Sequence, residues 1–251
     1  TGNTVTHHDV FGRALHPREA IAVSCNIFFY TIARRMGVDR IVEWYERFGV
    51  GEPFGLGVGR EYKGVAGVDF AGNPAGIGEA TLMGIGQGPI AWTPVHAADA
   101  YATLARGGLR ITPRLIRDAS PEARDIGLDS GAVNAALEGL REAVTNTEYG
   151  SAHDLNYPDG SSERIFRHDD LAVYGKTGTA QAPDIVEKND DGEETVLRTG
   201  DHSWFVILVG EEGRRPQYAI SVVMEYAGSG GRVSGPIANQ IVRALKSEGY
   251  L

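Results

Sequence analysis

A lysine lies between two glycines in the pentapeptide Gly175-Lys176-Thr177-Gly178-Thr179, and threonines flank the second glycine. An ammonium group and two hydroxyls on a glycine-rich backbone invite comparison with the phosphate-binding loop of nucleotide-binding proteins. That loop requires a glycine five residues before its Gly-Lys pair and a helix directly after it. Residue 170 is an aspartate, and Pro183 with an acidic segment follows in place of a helix. The pentapeptide therefore argues against a nucleotide site.

A second group of polar side chains, Ser24-Cys25-Asn26, combines a hydroxyl with a carboxamide. At average residue usage, Lys-Thr-Gly arises by chance in fewer than about 0.1 of chains of this length, whereas Ser-x-Asn is expected about once per chain. Taken alone, Ser-Cys-Asn at a helix junction is typical of a helix cap. Ser24 and Asn26 become stronger candidates for site residues when both motifs are considered together. Lys-Thr-Gly is predicted to end a buried strand, and Ser-x-Asn is predicted to lie between two helices.

The elements that must position these residues can be predicted from periodicity and from the placement of proline and glycine. Residues 17–37 read as helix on both sides of Ser24-Cys25-Asn26. Further helices are predicted at 39–48, 93–108, 128–146 and 231–249, and strands at 171–175, 203–211 and 217–227. Helices followed by strands and a final helix predict an α+β fold, with helices packed on a mainly antiparallel sheet.

Two segments do not read as helix or strand. Residues 49–91 are rich in glycine and are predicted to form a long loop region. Residues 183–201 contain seven acidic side chains against Lys188 and Arg198, which accounts for −5 of the chain's net charge of −9. This second segment is predicted to be a solvated acidic loop between two strands.

Composition excludes several classes of function. With 24 basic and 33 acidic residues among 251, the chain is not suited to nucleic acid, because that binding depends on basic phosphate contacts. A single cysteine, Cys25, excludes an internal disulfide. His7-His8-Asp9 is a weak metal pattern, since adjacent histidines rarely face one ion, and a surface role is favoured. No metal or organic cofactor is predicted.

Five segments, in chain order, resemble the transpeptidase domain of class B, elongation-type penicillin-binding proteins. They are SCNIFFYTIARRMG, MGIGQGPIAWTPVHAADAYATLARGG, VTNTEYGSAH, GKTGTAQ and HSWFV, which together extend over almost the whole chain. The resemblance implies acyl transfer on peptidoglycan stem peptides ending in D-Ala-D-Ala, with inhibition by beta-lactams. It also implies partners in a cell-wall synthesis complex and a place at the extracytoplasmic (periplasmic) face of the bacterial cytoplasmic membrane, held by an N-terminal anchor.

The resemblance assigns roles to six residues. Catalytic roles are implied for Ser24, Asn26 and Lys176: Ser24 relays a proton, Asn26 binds the acyl amide, and Lys176 offers a cation to the substrate carboxylate. Thr177 and Thr179 are expected to donate hydroxyl hydrogen bonds to that carboxylate, and the backbone N–H of Thr179 is expected to form half of the oxyanion hole. Gly178 is expected to let the substrate backbone approach the strand.

The family's nucleophile, a serine in Ser-x-x-Lys, does not occur in this sequence. Three residues before the four lysines stand Arg60, Val173, Ile185 and Arg243. The expectation is that residues 1–251 form a partial transpeptidase domain, without its N-terminal part, and that the nucleophile lies upstream of residue 1. These residues alone are then expected to be inactive.

Two alternatives stay open. The same fold could serve a D,D-carboxypeptidase or a beta-lactamase-like hydrolase, in which water accepts the acyl group. It could also serve a non-catalytic beta-lactam sensor or pseudo-enzyme that has no nucleophile.

Overall fold

The computed structural model describes residues 12–69, 71–117, 120–189 and 191–251, so His7-His8-Asp9 lies outside the described residues. Seven helices and eleven strands occur in this part of the chain. The helices are α1 Pro17–Ala22, α2 Asn26–Met36, α3 Val38–Arg47, α4 Ile77–Met83, α5 Pro94–Ala105, α6 Ser130–Thr145 and α7 Ser234–Ser247. The strands are β1 Val65–Ala66, β2 Ile90–Ala91, β3 Leu109–Ile111, β4 Ala123–Asp125, β5 Asp154–Asn156, β6 Ser162–Arg164, β7 Leu171–Gln181, β8 Ile185–Lys188, β9 Glu194–Arg198, β10 Asp201–Glu211 and β11 Tyr218–Met224.

The main sheet has three antiparallel strands in the order β11-β10-β7. Its central strand, β10, carries an uninterrupted apolar run from Trp204 to Val209, which is the pattern of a strand covered on both faces. Helices α5 and α7 both contact β10, and Phe205 stacks on Phe166 with ring centroids 5.7 Å apart. The predicted α+β class, with helices packed on an antiparallel sheet, is confirmed.

The predicted helices are present, and two begin at side-chain caps. The Thr93 hydroxyl accepts a hydrogen bond from the His96 N–H at the start of α5. Asp129 Oδ1 accepts from the Ala132 N–H, 2.9 Å away, at the start of α6. Each cap satisfies one of the amide donors that a helix leaves without an internal partner.

The prediction that a strand ends at Gly175 is wrong, because β7 continues to Gln181 and pairs with β10 over its whole length. The run of glycines indicated a strand end, but in the structure two of these glycines lie within the strand and close to β10. A Cβ at Gly175 would lie 2.9 Å from Ile207 Cγ2, and a Cβ at Gly178 would lie 3.1 Å from Trp204 Cβ. Lys-Thr-Gly therefore lies in the middle of a long strand.

Both segments predicted as loops contain regular structure. The acidic segment 183–201 does connect two strands and is exposed, but β8 and β9 pair within it as a hairpin. The glycine-rich segment 49–91 contains α4 and the β1–β2 pair. Short elements of two to seven residues are hard to predict here because glycines and charged residues interrupt their periodicity. In the part of the chain that the structure describes, no helix is long and apolar enough to cross a bilayer.

Candidate active site

One cavity of about 550 Å³ is lined by all six residues that the sequence motifs single out. The α1–α2 junction contributes Ser24 and Asn26, and β7 contributes Lys176 with the three residues after it. The remaining wall is mostly apolar, with two further polar side chains, Gln87 and Tyr101. The structure thus brings together motifs that are about 150 residues apart in the sequence.

The α1–α2 junction holds Ser24 in an unusual backbone conformation. Ser24 has a φ of +57°, in the left-handed region that non-glycine residues adopt rarely and at a cost. The next residue, Cys25, is buried, and its N–H donates to the Ala20 carbonyl at a distance of 2.9 Å. This bond fixes the turn, so Ser24 and Asn26 are both presented on the exposed side of the junction.

The helix-cap explanation for Ser24-Cys25-Asn26 is wrong. The N-cap of α2 is Cys25, and no side chain makes a capping hydrogen bond there. Among the described residues, no hydrogen bond partner is found for the Ser24 hydroxyl or for the Asn26 carboxamide. Both polar groups are therefore available to a ligand in the cavity.

Lys176 is the only charged side chain in the cavity lining formed by the described residues. Its ammonium donates to the carbonyl of Thr177, with Nζ and O 3.1 Å apart, and no carboxylate in the described ranges lies within ion-pair distance. Although the side chain is only half-buried, the dense protein around the ammonium lowers the pKa of Lys176 from 10.5 to about 8. Burial also raises the pKa of Tyr101, which keeps that phenol neutral. The cavity thus carries one positive charge and favours an anion.

The outer edge of β7 is not paired with any strand in the described residues, since β7 is the last of their strands in the main sheet. The carbonyls of Thr177 and Thr179 accept hydrogen bonds from Lys176 and Gln87, so they point away from β10. The N–H of a strand residue points to the same side as its carbonyl. The N–H groups of both threonines therefore face the open edge, where an extended peptide could pair.

Side-chain alternation places the two threonines on the opposite face of β7 from Lys176. The Thr179 hydroxyl accepts from the Gly230 N–H, 3.3 Å away. An anion shared by the ammonium and the hydroxyls must therefore lie beside the strand edge, not above either face.

Three residues of this region were missed by reasoning from sequence: Gln87, Tyr101 and Gly230. A Cβ at Gly230 would lie 2.4 Å from the Gly178 carbonyl oxygen and 2.3 Å from the Trp204 carbonyl oxygen, so only glycine permits this close approach. The glycine-rich run before the last helix was the available signal for Gly230. Gln87 lies in a segment quoted for the family resemblance, but nothing in its spacing indicates a contact with Thr179.

A larger surface cleft, of about 800 Å³, lies away from the motif residues beside Glu52 and Phe54. The one buried charge among its described lining residues, Arg110, is already paired with Asp99 at 2.9 Å and with Glu52 at 2.8 Å. Because that charge is neutralised, the cleft is a weaker candidate than the cavity beside Lys176.

The sequence model of the penicillin-binding protein transpeptidase domain matches residues 2–243. The chain belongs to this family. The peptidoglycan D,D-transpeptidase MrdA of Haemophilus influenzae is 29% identical over 244 residues, covering 89% of this chain and 35% of that protein. The peptidoglycan D,D-transpeptidase PbpA of Mycolicibacterium smegmatis is 26% identical over 251 residues, covering 95% of this chain and 45% of that protein. This chain therefore spans less than half the length of these curated relatives.

Solved structures of penicillin-binding proteins share the fold. Penicillin-binding protein 2 from Helicobacter pylori, solved in complex with MreC, matches with a TM-score of 0.72 and 22% identity, over 93% of this chain and 40% of that one. Penicillin-binding protein 2 from Pseudomonas aeruginosa, solved with WCK 5153, matches with a TM-score of 0.67 and 27% identity, over 90% of this chain and 48% of that one. The family predicted from sequence is confirmed.

Proposed function

We propose that these residues are the C-terminal portion of a class B, elongation-type peptidoglycan D,D-transpeptidase, which transfers an acyl group from stem peptides ending in D-Ala-D-Ala. One observation carries the proposal: the open edge of β7, with Lys176 beside it, faces Ser24 and Asn26 across a single cavity. The names of the MrdA and PbpA relatives support the same reaction.

In this proposal the stem peptide adds to the edge of β7 as an extended strand. Its terminal carboxylate lies near Lys176, where the unpaired ammonium and the threonine hydroxyls compensate its charge. The Asn26 carboxamide binds the acyl amide. The Thr179 N–H, which faces the open edge, donates to the carbonyl oxygen as negative charge develops on it.

The chemistry proceeds in two balanced steps. A serine oxygen attacks the penultimate carbonyl and loses its proton, the C–N bond to the last residue breaks, and D-Ala leaves as an amine that takes up a proton. An amine from a neighbouring stem then attacks the ester carbonyl and loses a proton, the C–O bond to the serine breaks, and the serine oxygen takes up a proton. Ser24 is suited to relay the proton to the leaving amine, because its hydroxyl faces the cavity without a partner of its own among the described residues.

The attacking serine is proposed to come from outside these 251 residues. The cavity wall beside Lys176 includes the apolar side chains of Ile21, Leu104 and Leu140. Such a wall suits an apolar segment of chain that carries Ser-x-x-Lys, while the reacting end of that segment meets Lys176 and Ser24. The described residues would then form one wall of the active site, within a partial domain spanning 1–251.

The similarity to penicillin-binding proteins also supports proposals about inhibitors, cellular location and partners. Beta-lactams would act as mimics of the acyl donor. The protein would work at the extracytoplasmic face of the cytoplasmic membrane, anchored by an N-terminal segment, within a cell-wall synthesis complex. The Helicobacter pylori relative in complex with MreC supports such a complex, as does a solved peptidoglycan synthase complex that shares this fold.

The test uses the longer protein that contains these residues, incubated with a stem-pentapeptide donor and an amine acceptor. We expect a cross-linked product together with free D-Ala. Lys176→Ala should lower the rate of cross-linking by about 10²–10³-fold, the usual effect of removing a group that stabilises the transition state. Lys188→Ala, a charge change on the exposed β8 strand, is the matched control and should leave the rate unchanged.

Other outcomes would contradict the proposal in distinct ways. Release of D-Ala without cross-linked product would identify a carboxypeptidase. Binding of beta-lactam without any covalent adduct or product would identify a non-catalytic sensor. The lack of Ser-x-x-Lys in these residues is the one observation that favours the sensor.

A further inference from the structure

No described strand pairs with the outer edge of β7, but two side chains of the protein donate hydrogen bonds to its carbonyls. Gln87 Nε2 donates to the Thr179 carbonyl at 3.2 Å, and Lys176 Nζ donates to the Thr177 carbonyl at 3.1 Å. These are the outward-facing acceptors that an added peptide strand requires. In the free site, therefore, two side chains stand where the backbone N–H groups of a ligand would bind.

Gln87 is presented to this edge by a rigid turn after α4. The Gln87 N–H donates to the Leu82 carbonyl at 3.0 Å, and the Gly86 N–H donates to the Met83 carbonyl at 3.1 Å. Gly88 closes the turn so tightly that a Cβ there would lie 3.1 Å from Leu82 Cβ. The backbone of residue 87 is thus fixed relative to the helix.

The Gln87 side chain, in contrast, is held weakly. Its bond to Thr179 lies at the long end of the range for N–H···O hydrogen bonds. No partner for its Oε1 atom is found among the residues that the structure describes. A carboxamide held by one long hydrogen bond on a fixed backbone can be displaced by rotation of its own side chain, without any movement of the fold.

The acceptor that Gln87 occupies is the one that the acyl donor must use. This step rests on the proposed function, in which the reacting carbonyl lies at the Thr179 N–H. In an antiparallel hydrogen-bonded pair, two residues exchange both of their N–H···O bonds. The residue that supplies the reacting carbonyl therefore directs its own N–H at the Thr179 carbonyl, where the Gln87 carboxamide lies in the free site.

We propose that Gln87 is an exchangeable edge cap: its carboxamide covers the Thr179 carbonyl in the free site and leaves when the acyl donor pairs there. The exchange replaces one hydrogen bond with another, so the cap weakens donor binding without acting on the reacting atoms. Its benefit is protection, because an uncapped strand edge can pair with strands of other chains. Gln87 is thus a positioning residue that sets the affinity of the site for extended ligands.

The test measures acylation of the longer protein by a fluorescent penicillin with rapid mixing, which separates the dissociation constant of the first complex, Ks, from the acylation rate, k2. Gln87→Met keeps the length and approximate volume of the side chain but removes the donor, and Gln87→Ala removes both. We expect Ks to fall about 2–10-fold in both variants, the equivalent of one ordinary hydrogen bond, with k2 unchanged. Gln240→Ala, at an exposed position on α7, is the control and should change neither constant.

Several results would overturn the edge cap. They are an unchanged or raised Ks in both variants, a fall in k2, or a Gln87→Met variant that matches the wild type while Gln87→Ala does not. Thermal melts show whether Gln87→Ala is destabilised. If it is, the Ks and k2 of Gln87→Met alone are compared with those of the wild type. If the wild type forms no acyl-enzyme, the proposed function fails separately. The dissociation constants are then compared by fluorescence anisotropy of the bound penicillin, and equal values overturn the cap.

Discussion

The ammonium of Lys176 lies 3.1 Å from the carbonyl of its own neighbour, Thr177, and no described carboxylate neutralises it. An unpaired cation in a half-buried cavity is costly in the free protein, because burial disfavours its charged form. An anionic ligand that pairs with the ammonium would offset this free-energy cost. Burial of an ammonium that has no carboxylate partner among the described residues therefore explains both the lowered pKa of Lys176 and the preference of the cavity for a carboxylate.

The lowered pKa of Lys176 predicts how stability depends on pH. The folded protein has a pKa of about 8 at this residue, below the usual 10.5, so the unfolded chain binds more protons between those values. The free energy of unfolding should therefore rise with pH from about 8 to about 10.5, as the destabilising charge is removed. Denaturant melts of wild type and Lys176→Met across this window test it. The wild type should gain stability relative to the variant, and parallel profiles would contradict the prediction.

The left-handed backbone at Ser24 predicts a conflict between stability and function. Glycine adopts a φ of +57° without the steric cost that a Cβ brings, which is about 1–2 kcal/mol. Part of that gain is offset by the greater freedom of glycine in the unfolded chain. Ser24→Gly should therefore be about 0.5–1 kcal/mol more stable than Ser24→Ala, while both lose the hydroxyl and turn over more slowly. Equal stability of the two variants in urea melts would show that the turn is not strained.

Two adjacent glycines before α7 should respond to alanine with losses of stability of very different size. At Gly230 a Cβ would lie 2.3 Å from the Trp204 carbonyl oxygen, so the loop or the strand must move. At Gly231 the nearest atom, Thr177 Cγ2, would lie 3.6 Å away, which is ordinary contact. Gly230→Ala should cost about 1–3 kcal/mol of stability, as overpacking does, and Gly231→Ala less than about 0.5 kcal/mol. Similar melting temperatures for the two variants would contradict this packing.

The buried ion pair between Asp99 and Arg110 predicts a large loss of stability. Only 1% of the Asp99 side chain and 6% of the Arg110 side chain are exposed. Asp99→Ala leaves the buried Arg110 guanidinium with only the half-exposed Glu52 carboxylate, 2.8 Å away, as its ion-pair partner, so it should cost about 3 kcal/mol. Arg124 pairs with Glu52 at 3.6 Å on the surface, where half of each side chain is exposed. Arg124→Ala, the control, should cost less than about 1 kcal/mol. Comparable losses measured by denaturant unfolding would show that Asp99–Arg110 is not a structural anchor.

The sequence was informative wherever a local pattern determines structure. Long amphipathic segments predicted α6 and α7, and the apolar run of β10 predicted the central strand. It was misleading about where β7 ends, because Gly175 and Gly178 lie close to neighbours on β10 that are about 30 residues away in the sequence. The sequence also provided no indication that Gln87 is part of the site, because its partner is distant in the sequence. The contact with Thr179 exists only after α4 and β7 are brought together, and no local pattern encodes it.

In the proposed function, these residues form one wall of an active site whose nucleophile lies outside residues 1–251. The most direct measurement is to label the longer protein with benzylpenicillin, digest it, and locate the modified serine by mass spectrometry. We expect a single label on the serine of a Ser-x-x-Lys sequence outside residues 1–251, and no mass shift when residues 1–251 are treated alone. A label on Ser24, or on any other serine among these 251 residues, would contradict this arrangement of the active site.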